Sequence, residues 1–178
     1  MALNTIDTLT VKKDLPIFTV ELPFKDIKDI IVEYRNKFPE NYNEKLPNAP
    51  VRSSWRSNMW AMDYDPLKYF VSVVEKVCNT IGCQYFHMRD DTIFECTNLW
   101  MMQYEGGDYA KEHDHFPNDL SCVYYAEVDD DSSSIVFEGD LEIKPRNNLL
   151  IIFPSLLRHM VPSTHGPRTV ISMNFRAN

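Results

Sequence analysis

The sequence predicts an α+β fold: an antiparallel β-barrel or two-sheet sandwich as the main body, with helices packed on one face. Three observations carry this. Helical periodicity is confined to the first half of the chain, ending near Gly82. From Thr92 onward, short β-rich stretches follow one another, separated by clusters of Asp, Asn, Gly and Pro. The length of 178 residues and the hydrophobic content of 44% suit one domain with a substantial core. Helices followed by a run of strands is the order of an α+β domain, not of alternating βα units.

Met1 to Lys13 mixes polar, acidic and basic residues and has no basic-then-apolar signal pattern, so secretion is not expected. Lys25 to Phe38 reads as the first helix, with Ile27, Ile30, Ile31 and Tyr34 at three-and-four spacing. Pro39 to Arg56 is rich in Asn, Pro and charge and reads as a long loop. The second helix is better signalled. Asp65 suits an N-cap, Pro66 suits the first helical position, and Gly82 should lie just past the end. Leu67, Phe70, Val71, Val74, Val77 and Cys78 line one face of it. The predicted strands are Thr92 to Tyr104, Leu120 to Val128, Ser134 to Glu138, Asn148 to Phe153 and Arg168 to Phe175. The whole chain, 1–178, is expected to be a single domain, with helical support over about 1–91 and a barrel core over about 92–178. There is no internal repeat and no low-complexity linker.

Lys plus Arg number 18 against 26 for Asp plus Glu, a net charge of −8. That balance disfavours a broad nucleic-acid-binding face. No apolar run approaches the roughly 18 residues of a membrane helix, and the longest, around Leu149 to Phe153, is strand-sized. Cys78, Cys83, Cys96 and Cys122 form no CxxC pair, so reduced, mostly buried thiols in a cytoplasmic protein are expected. Asp129, Asp130 and Asp131, followed by three serines, read as a solvated hairpin tip. Trp55, Trp60 and Trp100 are expected in the core or a pocket wall, His165 in an exposed turn, and His87 at the surface or in the core.

Three of the five histidines form a chemically suggestive pattern. His113 and His115 are two apart at the approach to a strand. In extended backbone both rings face one side, while Asp114 faces away. His159 follows the strand ending at Phe153, after the Pro154-Ser155 turn. Two ligands from one strand and a third from another can cap one face of a metal and leave the other open to substrate or dioxygen. An isolated HxH is a weak motif, and its surroundings strengthen it. Arg168 lies nine residues after His159, and Ser172 lies four further on, on the same side of the last strand. A guanidinium inside a barrel is costly unless an anion meets it. Arg168 with Ser172 therefore makes a plausible carboxylate pocket beside a metal.

The run Tyr104-Glu-Gly-Gly-Asp-Tyr109-Ala-Lys-Glu-His113-Asp-His115-Phe-Pro117-Asn118, then Val123-Tyr124-Tyr125, resembles the Fe(II)- and 2-oxoglutarate-dependent oxygenases. The likeness is to their prolyl-hydroxylase-like branch, and within it to small bacterial and phage oxygenases. The ending Phe153-Pro154-Ser155…His159…Arg168…Ser172-x-Asn174-Phe175 looks like that group too. The resemblance covers about Asn98 to Arg176, somewhat under half the chain.

The resemblance implies a double-stranded β-helix (a jelly-roll, cupin-like barrel) with Fe(II) in its mouth and 2-oxoglutarate as co-substrate. It implies dioxygen as the oxidant and a protein side chain or small metabolite as substrate. His113 and His159 match the family's two histidine ligands. Arg168 matches the residue that pairs with the distal carboxylate of 2-oxoglutarate, Ser172 and Tyr125 match hydroxyls that bond it, and Tyr104 matches a pocket-lining aromatic. One position departs: the family's usual Asp ligand is here His115. Either His115 ligates, or a nearby carboxylate such as Asp119 does, or the position is open. The kept two-residue spacing favours His115. Two further possibilities are a three-histidine, cupin-like dioxygenase that does not use 2-oxoglutarate, and a non-catalytic barrel that binds a metal or small molecule.

Overall fold

The structure, a computed structural model, describes residues 14–37, 45–46, 49–54, 63–89 and 91–178. Met1 to Lys13, Trp55, Trp60 and much of Pro39 to Arg56 lie outside them. In chain order the elements are β1 (Phe18–Glu21), α1 (Ile27–Lys37), β2 (Lys45–Leu46), β3 (Ala49–Ser53), α2 (Asp65–Tyr85), β4 (Phe94–Tyr104), β5 (Ala110–His113), β6 (Leu120–Val128), β7 (Ile135–Phe137), β8 (Leu141–Ile143), β9 (Leu149–Pro154), β10 (His159–Val161) and β11 (Arg168–Ala177).

The strands form two antiparallel sheets. The larger has seven strands in the order β1-β9-β6-β11-β4-β3-β2, and the smaller has four in the order β5-β10-β7-β8. Two cores divide the molecule into layers. The first lies between the helices and the outer face of the large sheet, joining Ile30, Ile31, Tyr34, Phe70 and Val74 to Leu99, Tyr124, Ile152 and Ile171. The second lies between the sheets and includes Val51, Val123, Ile135, Phe137, Ile151, Phe153 and Val161. Each Val, Leu, Ile or Phe buried in this way stabilises the fold by roughly 1.5–3 kcal/mol. The expected α+β sandwich with helices on one face is therefore the architecture seen. No helix of the described residues is long and apolar enough to cross a membrane.

The differences from expectation are local. The loop expected over Pro39 to Arg56 contains β2 and β3, and β3 extends the large sheet by pairing Arg52 with Gln103 and Ser53 with Met102. Val51 is fully buried between the sheets, and that burial overrides the turn-rich composition around it. β1, β5, β8 and β10 are likewise short strands set by pairing rather than by a visible periodicity. Gly82 does not end α2, which runs on to Tyr85. A Cβ on Gly82 would stand 2.8 Å from the Phe94 ring, so this glycine serves the close approach of helix and strand. Asp65 lies inside α2, and Tyr64 is the capping residue, with extended backbone and no side-chain cap. Asp65 still places negative charge in the first turn, where the helix dipole favours it.

Cys78, Cys96 and Cys122 are buried, Cys83 is exposed, and all are free thiols. Asp129, Asp130 and Asp131 are exposed, but the turn they form is anchored. Ser132 is fully buried, and its hydroxyl donates to the Pro167 carbonyl at 3.0 Å.

Candidate active site

β5 and β10 pair within the small sheet so that His113 lies opposite His159. Their ring centroids are 4.4 Å apart. His115 lies just beyond β5, where its backbone N–H donates to the Ser155 carbonyl at 2.8 Å. Its ring is 5.1 Å from each of the other two. One nitrogen from each imidazole can be chosen so that all lie within 4.8 Å of one another, a spacing that could hold a metal ion. His113 is exposed, His115 half-buried and His159 buried, so the cluster sits at a cavity mouth. Asp119 is not part of it: its carboxylate accepts the Ala177 N–H at 2.9 Å, at the end of β11. Asp114 stands at the rim, where its carboxylate accepts the Phe116 N–H at 3.1 Å. His165 and His87 are exposed and outside the cluster.

His113 Nδ1 lies 2.6 Å from the Lys111 carbonyl, and His159 Nδ1 lies 3.0 Å from the Leu157 carbonyl. A carbonyl only accepts, so both Nδ1 atoms carry the proton and both Nε2 atoms keep a free lone pair. Burial, reinforced by the neighbouring His159 and His113, lowers the His115 pKa to about 3. Burial, reinforced by His113, lowers that of His159 to about 4. Both rings are therefore neutral at physiological pH, the form that binds a metal.

The cavity beneath the cluster has a volume of about 520 Å³. Its floor is β11, whose alternate residues Arg168, Val170 and Ser172 all line it. Register with β4 places Tyr104 opposite Arg168, Met102 opposite Val170 and Trp100 opposite Ser172. On the other side, β6 sets Tyr125 opposite Val170 and Val123 opposite Ser172. Trp100 also approaches His115, with ring centroids 5.6 Å apart, and so joins the floor to the metal-binding cluster.

Arg168 is 2% exposed. Its Nη1 donates to the Ser133 carbonyl at 2.6 Å, and its guanidinium carbon lies 4.3 Å from the Tyr104 ring centroid and 5.7 Å from that of Tyr125. Among the described residues its Nε has no acceptor. Among those residues this buried cation meets a carbonyl and two tyrosines but no carboxylate, which suits it to binding an anion. Burial pushes the Tyr125 hydroxyl up to about 12 and raises that of Tyr104, so both remain protonated at neutral pH.

Backbone contributions to this site have no sequence signal. The carbonyls of Lys111, Ser133, Ser155 and Leu157 hold Arg168 and the three histidine segments, and any residue type supplies a carbonyl. Ser155 stands in the Phe-Pro-Ser motif, and that motif was the one available clue to the turn it occupies.

No protein-family model matches this sequence, and no curated protein matches it. Solved structures do match in fold. A prolyl-4-hydroxylase of Pseudomonas putida superposes with a TM-score of 0.68 at 15% identity, covering 90% of this chain and 91% of its own. The viral collagen prolyl hydroxylase of Paramecium bursaria Chlorella virus-1, solved with 2-oxoglutarate, gives 0.64 at 14% identity, covering 91% and 96%. The prolyl hydroxylase of Trichoplax adhaerens, solved with a hypoxia-inducible-factor peptide, gives 0.66 at 16% identity, covering 91% and 83%. The chain thus has the fold of the prolyl-hydroxylase group of 2-oxoglutarate–Fe(II) oxygenases. Onto that fold it places three clustered imidazoles above a buried arginine.

Proposed function

We propose that this chain is an Fe(II)- and 2-oxoglutarate-dependent oxygenase. It would hydroxylate a C–H bond of a protein side chain, prolyl included, or of a small metabolite, releasing succinate and CO2. The observation that carries this is one cavity holding both a metal-sized histidine cluster and a buried guanidinium whose Nε has no acceptor among the described residues. In this reading residues 1–178 form a single domain, the two sheets are the halves of a double-stranded β-helix, and the free thiols fit a cytoplasmic protein.

The residues fit both Fe(II) and 2-oxoglutarate. His113, His115 and His159 would hold Fe(II), the first and last through Nε2, because their Nδ1 protons are committed to carbonyls. The orphaned Arg168 Nε fits a carboxylate of 2-oxoglutarate. Bound iron would supply dioxygen activation coupled to oxidative decarboxylation of the oxo-acid. Arg168 fixes the far carboxylate, with Tyr125 and Ser172 as hydroxyl partners and Tyr104 stacked on the guanidinium. Val123, Val170 and Phe153 exclude water from the floor. The rim residues Lys111, Glu112 and Asp114 are exposed at the mouth, where a substrate would enter.

The test is succinate formation coupled to oxygen uptake with Fe(II), ascorbate and 2-oxoglutarate, using pooled peptides and amino acids as substrates. Metal-dependent oxygen uptake that ignores 2-oxoglutarate would reject it. That outcome would favour a three-histidine dioxygenase in which Arg168 binds the substrate's own carboxylate, a reading supported by the imidazole at position 115. Metal binding without oxygen uptake under any condition would leave a non-catalytic binding barrel.

A further inference from the structure

Beside the histidine cluster lies a buried polar row that the chemistry above does not use. Ser121, Ser155 and Asn174 are 1%, 0% and 2% exposed. The Ser155 and Ser121 hydroxyls are 2.7 Å apart, and Ser121 Oγ lies 2.8 Å from Asn174 Oδ1. Asn174 Oδ1 can only accept, so Ser121 donates its single proton there. Ser155 must then donate to Ser121. The row therefore has one direction, Ser155 to Ser121 to Asn174, and it runs from the turn after β9 across β6 to β11.

Three polar side chains in an apolar layer cost stability unless something requires them there. Their position indicates what that is. Ser155 follows Pro154 in a tight turn closed by the Leu157 N–H on the Pro154 carbonyl at 2.9 Å. This one turn presents two carbonyls to the cluster. The Ser155 carbonyl accepts the His115 N–H at 2.8 Å, and the Leu157 carbonyl accepts His159 Nδ1–H at 3.0 Å. The Ser155 N–H donates in turn to the Asp119 carbonyl at 3.0 Å. The side-chain row anchors the turn to the large sheet, and the turn holds the His115 backbone and the His159 ring.

We infer that Ser121, Ser155 and Asn174 are positioning residues for the metal centre, acting through the Pro154–Leu157 turn to set the orientation of His115 and His159. The inference rests on the reading of the histidine cluster as a metal site. It also explains the spacing in the Phe153-Pro154-Ser155 and Ser172-x-Asn174-Phe175 motifs. Ser155 and Asn174 are the two ends of one hydrogen-bonded row, and Ser121 is its middle.

The experiment uses Co(II) as the probe, read by calorimetric titration and by the d–d absorption of the bound ion, on the full chain and on Ser155→Ala, Ser121→Ala and the double variant. Tyr124→Phe is the control, because it deletes a buried hydroxyl from the opposite face of the same sheet. Outer-shell hydrogen bonds commonly alter metal affinity by 10–100-fold. Here Ser121→Ala should weaken Co(II) binding about tenfold and alter the d–d bands. Ser155→Ala should do so less, because Ser121 keeps its acceptor. The double variant should be no worse than Ser121→Ala, as a shared row requires. Tyr124→Phe should lower the Tm and leave Co(II) affinity and spectrum unchanged. Parent-like affinity and spectrum in both folded single variants overturn the inference alone. If only one folds, that one decides. A parent chain that binds no Co(II) overturns the metal reading and this inference with it.

Discussion

His113 and His159 face each other across the β5–β10 ladder, and each turns its Nδ1 to the carbonyl two residues before it in the chain. The same local contact, made on two strands, leaves both Nε2 lone pairs free beside His115. Strand register sets two of the rings together, and the His115 N–H on the Ser155 carbonyl brings in the third. Disturbing any one ring should therefore affect the whole cluster.

Ligand identity at position 115 is the sharpest test of the cluster. His115→Ala should lose much of the Fe(II) or Co(II) affinity of the parent. His115→Asp should keep some, since a carboxylate also ligates, although its shorter reach leaves it further from the ion. A neutral imidazole in place of a carboxylate leaves the bound ion more positive, so the parent should hold an anionic oxo-acid more tightly than His115→Asp does. Titration with Co(II), then with 2-oxoglutarate, measures both. Parent-like metal binding and turnover in His115→Ala would show that this residue is no ligand.

Arg168 should control oxo-acid binding without controlling the metal. Arg168→Lys keeps the charge and loses the planar fork, so the apparent KM for 2-oxoglutarate should rise about tenfold or more. Co(II) affinity should change little. Unchanged 2-oxoglutarate affinity in Arg168→Ala would reject the assignment of the anion site.

Acid should destabilise the metal-free protein. The fold holds the His115 pKa near 3 and that of His159 near 4, whereas unfolded imidazoles titrate near 6.5. The unfolded chain therefore binds protons first as pH falls. The contribution of these neutral rings is fully present above about pH 6.5 and is lost as pH drops through the folded values. Thermal melts at pH 7.5 and 5 should show a lower Tm at pH 5. His159→Asn, with one titrating ring removed, should show a smaller drop between the same two pH values. An equal drop in parent and variant would remove His159 from this account.

Gly82→Ala sets two effects against each other. Alanine gains about 1 kcal/mol over glycine inside a helix. Its methyl, however, would stand 2.8 Å from Phe94 and 3.0 Å from Met88, and overpacking of this kind costs about 1–3 kcal/mol. The packing term should win or cancel the gain, lowering the Tm by up to several degrees with metal affinity untouched. A raised Tm would mean that Phe94 moves aside freely.

The sequence by itself determined the layers and the chemical inventory. Apolar spacing in Lys25 to Phe38 and after Asp65 marked both helices, and β-rich runs after Thr92 marked five strands of the two sheets. Those patterns were legible because each follows from local periodicity. His113, His115, His159, Arg168 and Ser172 could be singled out as candidates by residue type and spacing, and Tyr125 and Tyr104 only through the family resemblance. Only the tertiary structure decided which of them meet. It set His159 against His113 through the pairing of two short strands that carry no periodic signal, and it turned Asp119 away to cap the end of β11. It also recruited Ser133, Ser155 and Leu157 through their carbonyls, which every residue type has. Val51 became core despite its loop-like surroundings, and Gly82 became a helix–strand contact rather than a helix end. The reason is the same in each case. Periodicity reports which face of an element is buried, whereas register, backbone hydrogen bonding and close approach depend on a partner far away in the chain, and no local pattern names that partner.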